Sequence, residues 1–253
     1  LDVTADATGT VDATGLQINS GANTLPTINS LAATSEDGTA KGINADGGTN
    51  NVDVTTNVSA KATGNGDAGG VNTTGAANLT TTIGGTLTAT AANGDAAAVN
   101  AASSGNTTVT VNGTTTVEAP NGSEYGGATI VNNEGTGTVT FNANGAMSAT
   151  GNRAGGVNGA GAGTTTINGN GNSVTLKGTD SSAAALVTGG AKVKLINVKM
   201  DSQAPDKKAY SIFAYGTDGA EVNLEGTTIA SSTTTNNAAD IAYQNGSSAA
   251  GQD

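Results

Sequence analysis

Apolar residues in this chain fall in short alternating runs and not in helical arcs. Val52/Val54, Leu79/Thr81, Val109/Val111, Val139/Phe141, Thr165/Ile167, Val193/Leu195 and Val222/Leu224 each alternate with polar neighbours. A second set follows a few residues on: Val58, Leu87, Val117/Ala119, Met147/Ala149, Val174/Leu176, Val198/Met200 and Ile229. Short alternation, Val/Ile/Thr enrichment and Gly/Asn punctuation predict strands. No segment carries the sustained apolar period with caps that a helix requires. Between one pair of runs and the next stands a stretch of small residues ending in one branched aliphatic. It occurs eight times: Ala40–Ile43, Ala68–Val71, Ala96–Val99, Gly127–Ile130, Ala154–Val157, Ala183–Leu186, Ala209–Ile212 and Ala238–Ile241. Ile43 to Ile241 is 198 residues in seven steps, a period of about 28 that signals a solenoid.

Three strands and three turns fill such a period, so each repeat predicts one triangular coil whose strands pair with the coils above and below. The small residues suit a narrow interior, where Gly and Ala let the backbone pass close to a neighbouring wall. Some nine coils would make a rod roughly 40 to 45 Å long. The whole chain, 1–253, reads as one solenoid, with irregular coils over 1–39, regular coils over 40–237 and a partial last coil over 238–253. In the first segment Val3 and Val11 are the expected inward residues, and Pro26 belongs at an edge or bend. The chain begins in mid-repeat and shows no signal peptide, as expected of a mature or excised segment.

Composition removes whole classes of chemistry. Aromatics are only 2% of the residues, too little bulk for an ordinary globular core, and the periodicity argues against disorder. With no Cys and no His, there are no disulfide staples, and most zinc sites, thiol nucleophiles and Ser-His-Asp catalysis are excluded. A net charge of -11 argues against nucleic acid, which recruits clustered Lys and Arg. No apolar run is long enough for a transmembrane helix.

Three strands per coil and small inward residues resemble a right-handed parallel β-helix. The Thr/Gly/Asn/Ala-rich, cysteine-free texture resembles the passenger domains of bacterial autotransporters, the self-associating and pertactin-like adhesins. The segment Thr164-Thr165-Thr166-Ile167-Asn168-Gly169-Asn170-Gly171-Asn172-Ser173-Val174-Thr175-Leu176 carries the likeness best. The resemblance implies a rod on the bacterial cell surface, exposed at the outer membrane or secreted. It also implies attachment to a host glycan or extracellular-matrix protein, or to another copy of itself in aggregation and biofilm.

Several groups of residues are candidates for that contact. Thr108/Thr110, Thr138/Thr140 and Thr164/Thr166 are expected to form a flat Thr-x-Thr array over three coils, of the kind seen in ice-binding solenoids; Thr is also simply a good strand former on a solvated face. Two enlarged turns after the third strand, Ala119–Gly126 and Ser202–Lys208, place Glu124, Tyr125, Lys207 and Lys208 on one edge, where loops on a rigid scaffold bind ligands. The second lies near Lys192, Lys194 and Lys199, with Asp201, Asp206 and Asp218 as neutralising acids. It precedes the aromatic residues Tyr210, Phe213 and Tyr215. Tyr and Lys together suit an acidic glycan or a protein partner; the alternative is a bulkier core near the C-terminal end, the favoured reading for Phe213, with Tyr210 and Tyr215 open to either. Asp67 and Asp95 should stack one coil apart, and a shared Ca²⁺ would relieve their repulsion, although solvated turn acids are the simpler expectation. Asn44, Asn72, Asn100 and Asn158 should form a structural amide ladder. Polysaccharide lyases and hydrolases also use the β-helix, so an enzyme, or the non-catalytic stalk of one, is an alternative. Glu118, expected beside Thr88 and Ser148, and Asp53, expected opposite Thr80, offer no acid pair of the kind glycoside hydrolysis uses. The expectation is a rod without catalysis.

Overall fold

A computed structural model describes residues 1–25, 27–123, 127–205, 208–215, 219–233 and 238–244, and every regular element among them is a β-strand. The strands wind into a right-handed parallel β-helix of about eight turns, each near 28 residues. The alternating apolar runs supply two faces. The second face is an eight-stranded sheet from Ala22–Thr24 to Glu221–Glu225. The third starts at Asp2–Ala7 and passes through Val58–Ala62 and Leu87–Ala91 to Thr228–Ser232. The small-residue stretches form the first face, from Ala13–Ile18 through Ala96–Ala101 to Ala238–Gln244.

Inward positions stack in columns from coil to coil. Val52, Val109 and Val139 are buried on the second face, Val58, Leu87 and Val117 on the third, and Ile43, Val71 and Val99 on the first. Among the described residues Phe141 is the largest wholly buried side chain. Some inward polar groups bond to one another: the Thr73 and Thr107 hydroxyls lie 2.9 Å apart, and Ser202 Oγ donates to Ser182 Oγ at 2.8 Å, whereas the hydroxyls of Thr81, Thr115 and Ser211 are buried without a partner among the described residues. Such pairing removes the cost of a bare buried hydroxyl.

Most corners are turns, but two are not. Strands Met147–Gly159 and Ser173–Thr188 run without a break from the third face into the first, which joins those faces into one sixteen-stranded sheet. The register slips between Gly151 and Arg153 where the first of them bends. The run of turns expected after every third strand is therefore interrupted in these two coils.

Two expected inward residues face water. Val11 is 62% exposed, since it sits in the corner ahead of strand Ala13–Ile18, and Leu224 is 44% exposed on the last described strand of the second face, where no described strand covers it. Val3 is half-buried against the core. Pro26 lies outside the described residues.

A creased face and its trough

The first face is creased along its whole length. Within its central strands two consecutive residues point inward, as Gly70/Val71, Ala98/Val99 and Ile130/Val131 do. A flat strand alternates sides, so the backbone must bend there, and the earlier of the two drops out of the coil-to-coil register. The side chains just before and just after the crease point outward and border a trough. Before the crease stand Lys41, Gly69, Ala97, Thr129, Gly155, Ala183 and Tyr210; after it stand Asn44, Asn72, Asn100, Asn132, Asn158, Leu186 and Phe213. Part of the small-residue content thus serves the outside, as the trough's floor, and not only the narrow interior.

This register moves two stretches by one residue. The equivalents of Ala96–Val99 are Ala128–Val131 and Ser182–Ala185, not Gly127–Ile130 and Ala183–Leu186. Small residues are nearly interchangeable in sequence; what decides is the buried Ser182–Ser202 pair and burial of Val187, with Leu186 half-exposed.

The column after the crease is the expected amide ladder, with a member missed from sequence. Asn132 donates to Asn100 Oδ1 and Asn158 donates to Asn132 Oδ1, both at 2.9 Å, while Asn44 donates to Gln17 Oε1 at 2.8 Å. Asn72 leaves the ladder. Its amide folds over Gly69, donating to the Gly69 carbonyl at 3.0 Å, and a Cβ on Gly69 would sit 2.2 Å from Asn72 Oδ1. Above Asn158 the column turns apolar, with Leu186 and then Phe213.

Two cavities that share Thr129 and Asn158 occupy the trough. One of about 450 Å³ runs past Lys41, Asp67, Asp95, Asn100 and Glu134. The other, of about 540 Å³, is lined by Arg153, Leu186, Lys208, Tyr210 and Phe213 among others. The Tyr210 and Phe213 rings lie 5.0 Å apart at 42°. Phe213 is therefore an outward, half-buried residue and not core. Lys208 is exposed at the rim, and Tyr215 ends the same strand, Lys208–Tyr215. Glu124, Tyr125, Lys207, Asp206 and Asp218 lie outside the described residues.

Asp67 and Asp95 do stack at the edge of the trough, and each carboxylate already has donors. Asp67 Oδ1 accepts the Asp95 amide at 2.9 Å. Asp95 Oδ1 accepts the amides of Ser123 and Gly127, both at 2.7 Å, and its Oδ2 accepts the Ser123 hydroxyl at 2.8 Å. Among the described residues no group of three or more acids, His or Cys gathers as a metal cluster does. Asp37 lies one column away, where it takes the Asn65 amide at 3.0 Å. On the same column as Asp67, Asp12 accepts the Thr39 amide at 2.8 Å and the Lys41 ammonium at 3.2 Å. The amide and the nearby cation hold its carboxyl below the usual aspartate value, against a smaller opposing effect of burial.

The six candidate threonines of the second face are outward, but in a different register from the one expected. Thr108 pairs with Thr140, and Thr140 with Thr166, whereas Thr110 pairs with Asn142 and Thr138 with Thr164. The result is one column of four, Thr80, Thr108, Thr140 and Thr166, and not a two-column array over three coils. On the acids, Glu118 neighbours Thr90 and Thr150, and Asp53 neighbours Thr82. Lys192 and Lys194 are paired with Glu221 at 3.8 Å and Glu225 at 2.9 Å, so the acids that neutralise them are on the next coil of the same face. Lys199 is on the third face.

Comparison with family models, with curated proteins and with solved structures finds no match for this chain. Among the described residues no helix is long and apolar enough to cross a membrane. The fold defines a class, the parallel β-solenoids, and it is at that level that the chain is placed.

Proposed function

We propose that the chain is the rod of a bacterial surface adhesin, of the autotransporter passenger kind, and that it holds an elongated polar partner lengthwise in the trough of the first face. The trough itself carries this reading. It runs beside the rod axis from Lys41 to Phe213, with a floor mostly of Gly, Ala and Thr and a wall of Asn amides from Asn44 to Asn158. An Asn whose amide bonds its neighbour still has a second N–H and spare oxygen lone pairs. Many such weak bonds along a rigid surface sum to useful affinity. Catalysis is not part of the proposal, since the outward acids are dispersed or already hold backbone amides.

A second reading rests on the threonine column. Two rods could pair their Thr80–Thr166 columns and self-associate. Ice binding fits less well, because the second column of hydroxyls is broken by Asn142 and Asn168.

The test coats beads with the chain and scores clumping and capture against a panel of glycans and matrix proteins. Asn100→Lys with Asn132→Lys obstructs the trough; Thr108→Lys with Thr140→Lys alters the other face. The trough variant is expected to lose capture while the threonine variant keeps it. Loss only in the threonine variant would replace the trough with self-pairing as the mode of attachment.

A further inference from the structure

The two halves of the trough differ in character, and the difference points to a ligand. The half near residues 41–134 has Asp67, Asp95 and Glu134 around one cation, Lys41, which is itself paired with Asp12 at 3.2 Å. The half near residues 153–213 has Arg153 and Lys208 and no acid. In a chain of 20 acids and 9 Lys and Arg, that is a local reversal of charge. Neither cation has an acidic partner within ion-pair distance among the described residues, and Arg153 Nε is shielded from solvent with nothing to donate to. That shielded donor is closed to a ligand as well as to water, so what Arg153 offers the cavity it lines is its charge, with which an incoming carboxylate would pair.

Beside these cations the tilted Tyr210–Phe213 pair faces outward next to Leu186. The amide ladder ends here too: Asn158 Oδ1 faces the coil of Leu186, which cannot donate. An apolar surface of two tilted rings, an open amide acceptor and two cations without an ion-pair partner among the described residues match one pyranose ring, with a C–H face to stack, a hydroxyl to donate and a carboxylate to pair. We infer that this half of the trough is a subsite for a hexuronate unit of an acidic polysaccharide lying along the rod. This rests on the adhesin reading and deepens it. An acidic peptide fits less well: strands of the first face are laddered to coils on both sides, so the trough offers side-chain groups and no free backbone edge for a peptide to pair with.

The experiment is calorimetric titration of the whole chain with oligogalacturonate of eight units, with its carboxyl-reduced counterpart and with poly-glutamate. Binding of the first is expected, with affinity falling about tenfold on carboxyl reduction, the scale of one charge-assisted bond. Phe213→Ala and Lys208→Gln, both at solvent-accessible positions, are each expected to weaken it by a similar factor, and Arg153→Gln by more. Circular dichroism confirms that each variant keeps its strands. Equal affinity for the reduced sugar, undiminished affinity in Phe213→Ala and Lys208→Gln, tighter binding of poly-glutamate, or no binding of the acidic sugar would each overturn the inference. If the uronate fails while the trough-obstructing Asn pair still abolishes capture on beads, the subsite is wrong and the adhesin reading stands.

Discussion

Asp95 offers a sharp test of how the coils are held together. Its carboxylate ties one coil to the next through the amides of Ser123 and Gly127 and the Ser123 hydroxyl, at 2.7 to 2.8 Å. Replacement by Ala removes the acceptor for all three. Ser123 is exposed, so water takes over its two donors at little net cost, but Gly127 is buried and its amide is stranded. A bond to a charged acceptor contributes about 1.5–3 kcal/mol, and a buried donor left bare costs about 1–3 kcal/mol. Because the carboxylate is only half-buried, the lower part of that range applies, and Asp95→Ala should cost about 2 kcal/mol. Asp95→Asn keeps an oxygen for Gly127 and should cost about half as much, since only the charge is lost. Urea midpoints followed by far-ultraviolet circular dichroism measure the difference. Amide hydrogen exchange at Gly127 localises it, because a solenoid can open locally. An Ala variant as stable as the parent, or a Gly127 amide equally protected in both, would show that the carboxylate column does not support the turns.

Three further outcomes follow from the same structure. Asp12 is held below the ordinary aspartate value by the Thr39 amide and Lys41, so its contribution is complete above the unfolded-state value. It is lost as the pH falls below about 4, and Asp12→Asn should reduce the acid sensitivity of the urea midpoint in that window. Phe141→Ala empties the largest buried site and should cost about 3–5 kcal/mol, read from the same denaturation curves. Gly156→Ala should destabilise by about 1–3 kcal/mol through overpacking, because the new Cβ would lie 2.4 Å from the Ala184 carbonyl oxygen; an unchanged thermal midpoint would mean the crease has more room than this geometry allows.

Strand alternation and the 28-residue step were enough to read the coil, the three faces and most of the core, since inward Val, Leu and Ile have no other place to go. The trough was not legible, because its floor is made of the same Gly and Ala that line the interior. Only the crease, with two inward residues in succession, sends Gly69, Ala97 and Gly155 outward. The one-residue ambiguity at Ala183–Leu186 then hid the most informative signal. Once Ser182 is aligned with Ala154, the column Gln17, Asn44, Asn72, Asn100, Asn132, Asn158 is seen to continue as Leu186 and Phe213. The column turns from polar to apolar beside Arg153, where the proposed subsite lies. The threonine array failed for a related reason: coils vary in length at their turns, so counting residues does not fix which hydroxyls stack.

The absence of cysteine allows the central claim, that the partner lies in the trough, to be tested directly. Single thiols are introduced by Asn158→Cys, where the two cavities meet, and by Thr140→Cys, on the threonine column. Alkylation rates are then measured alone, with acidic polysaccharide, and with excess unmodified chain. The account predicts that polysaccharide slows alkylation in the Asn158→Cys chain and leaves the Thr140→Cys chain unchanged. Protection of the Thr140→Cys thiol alone, by either addition, would contradict it.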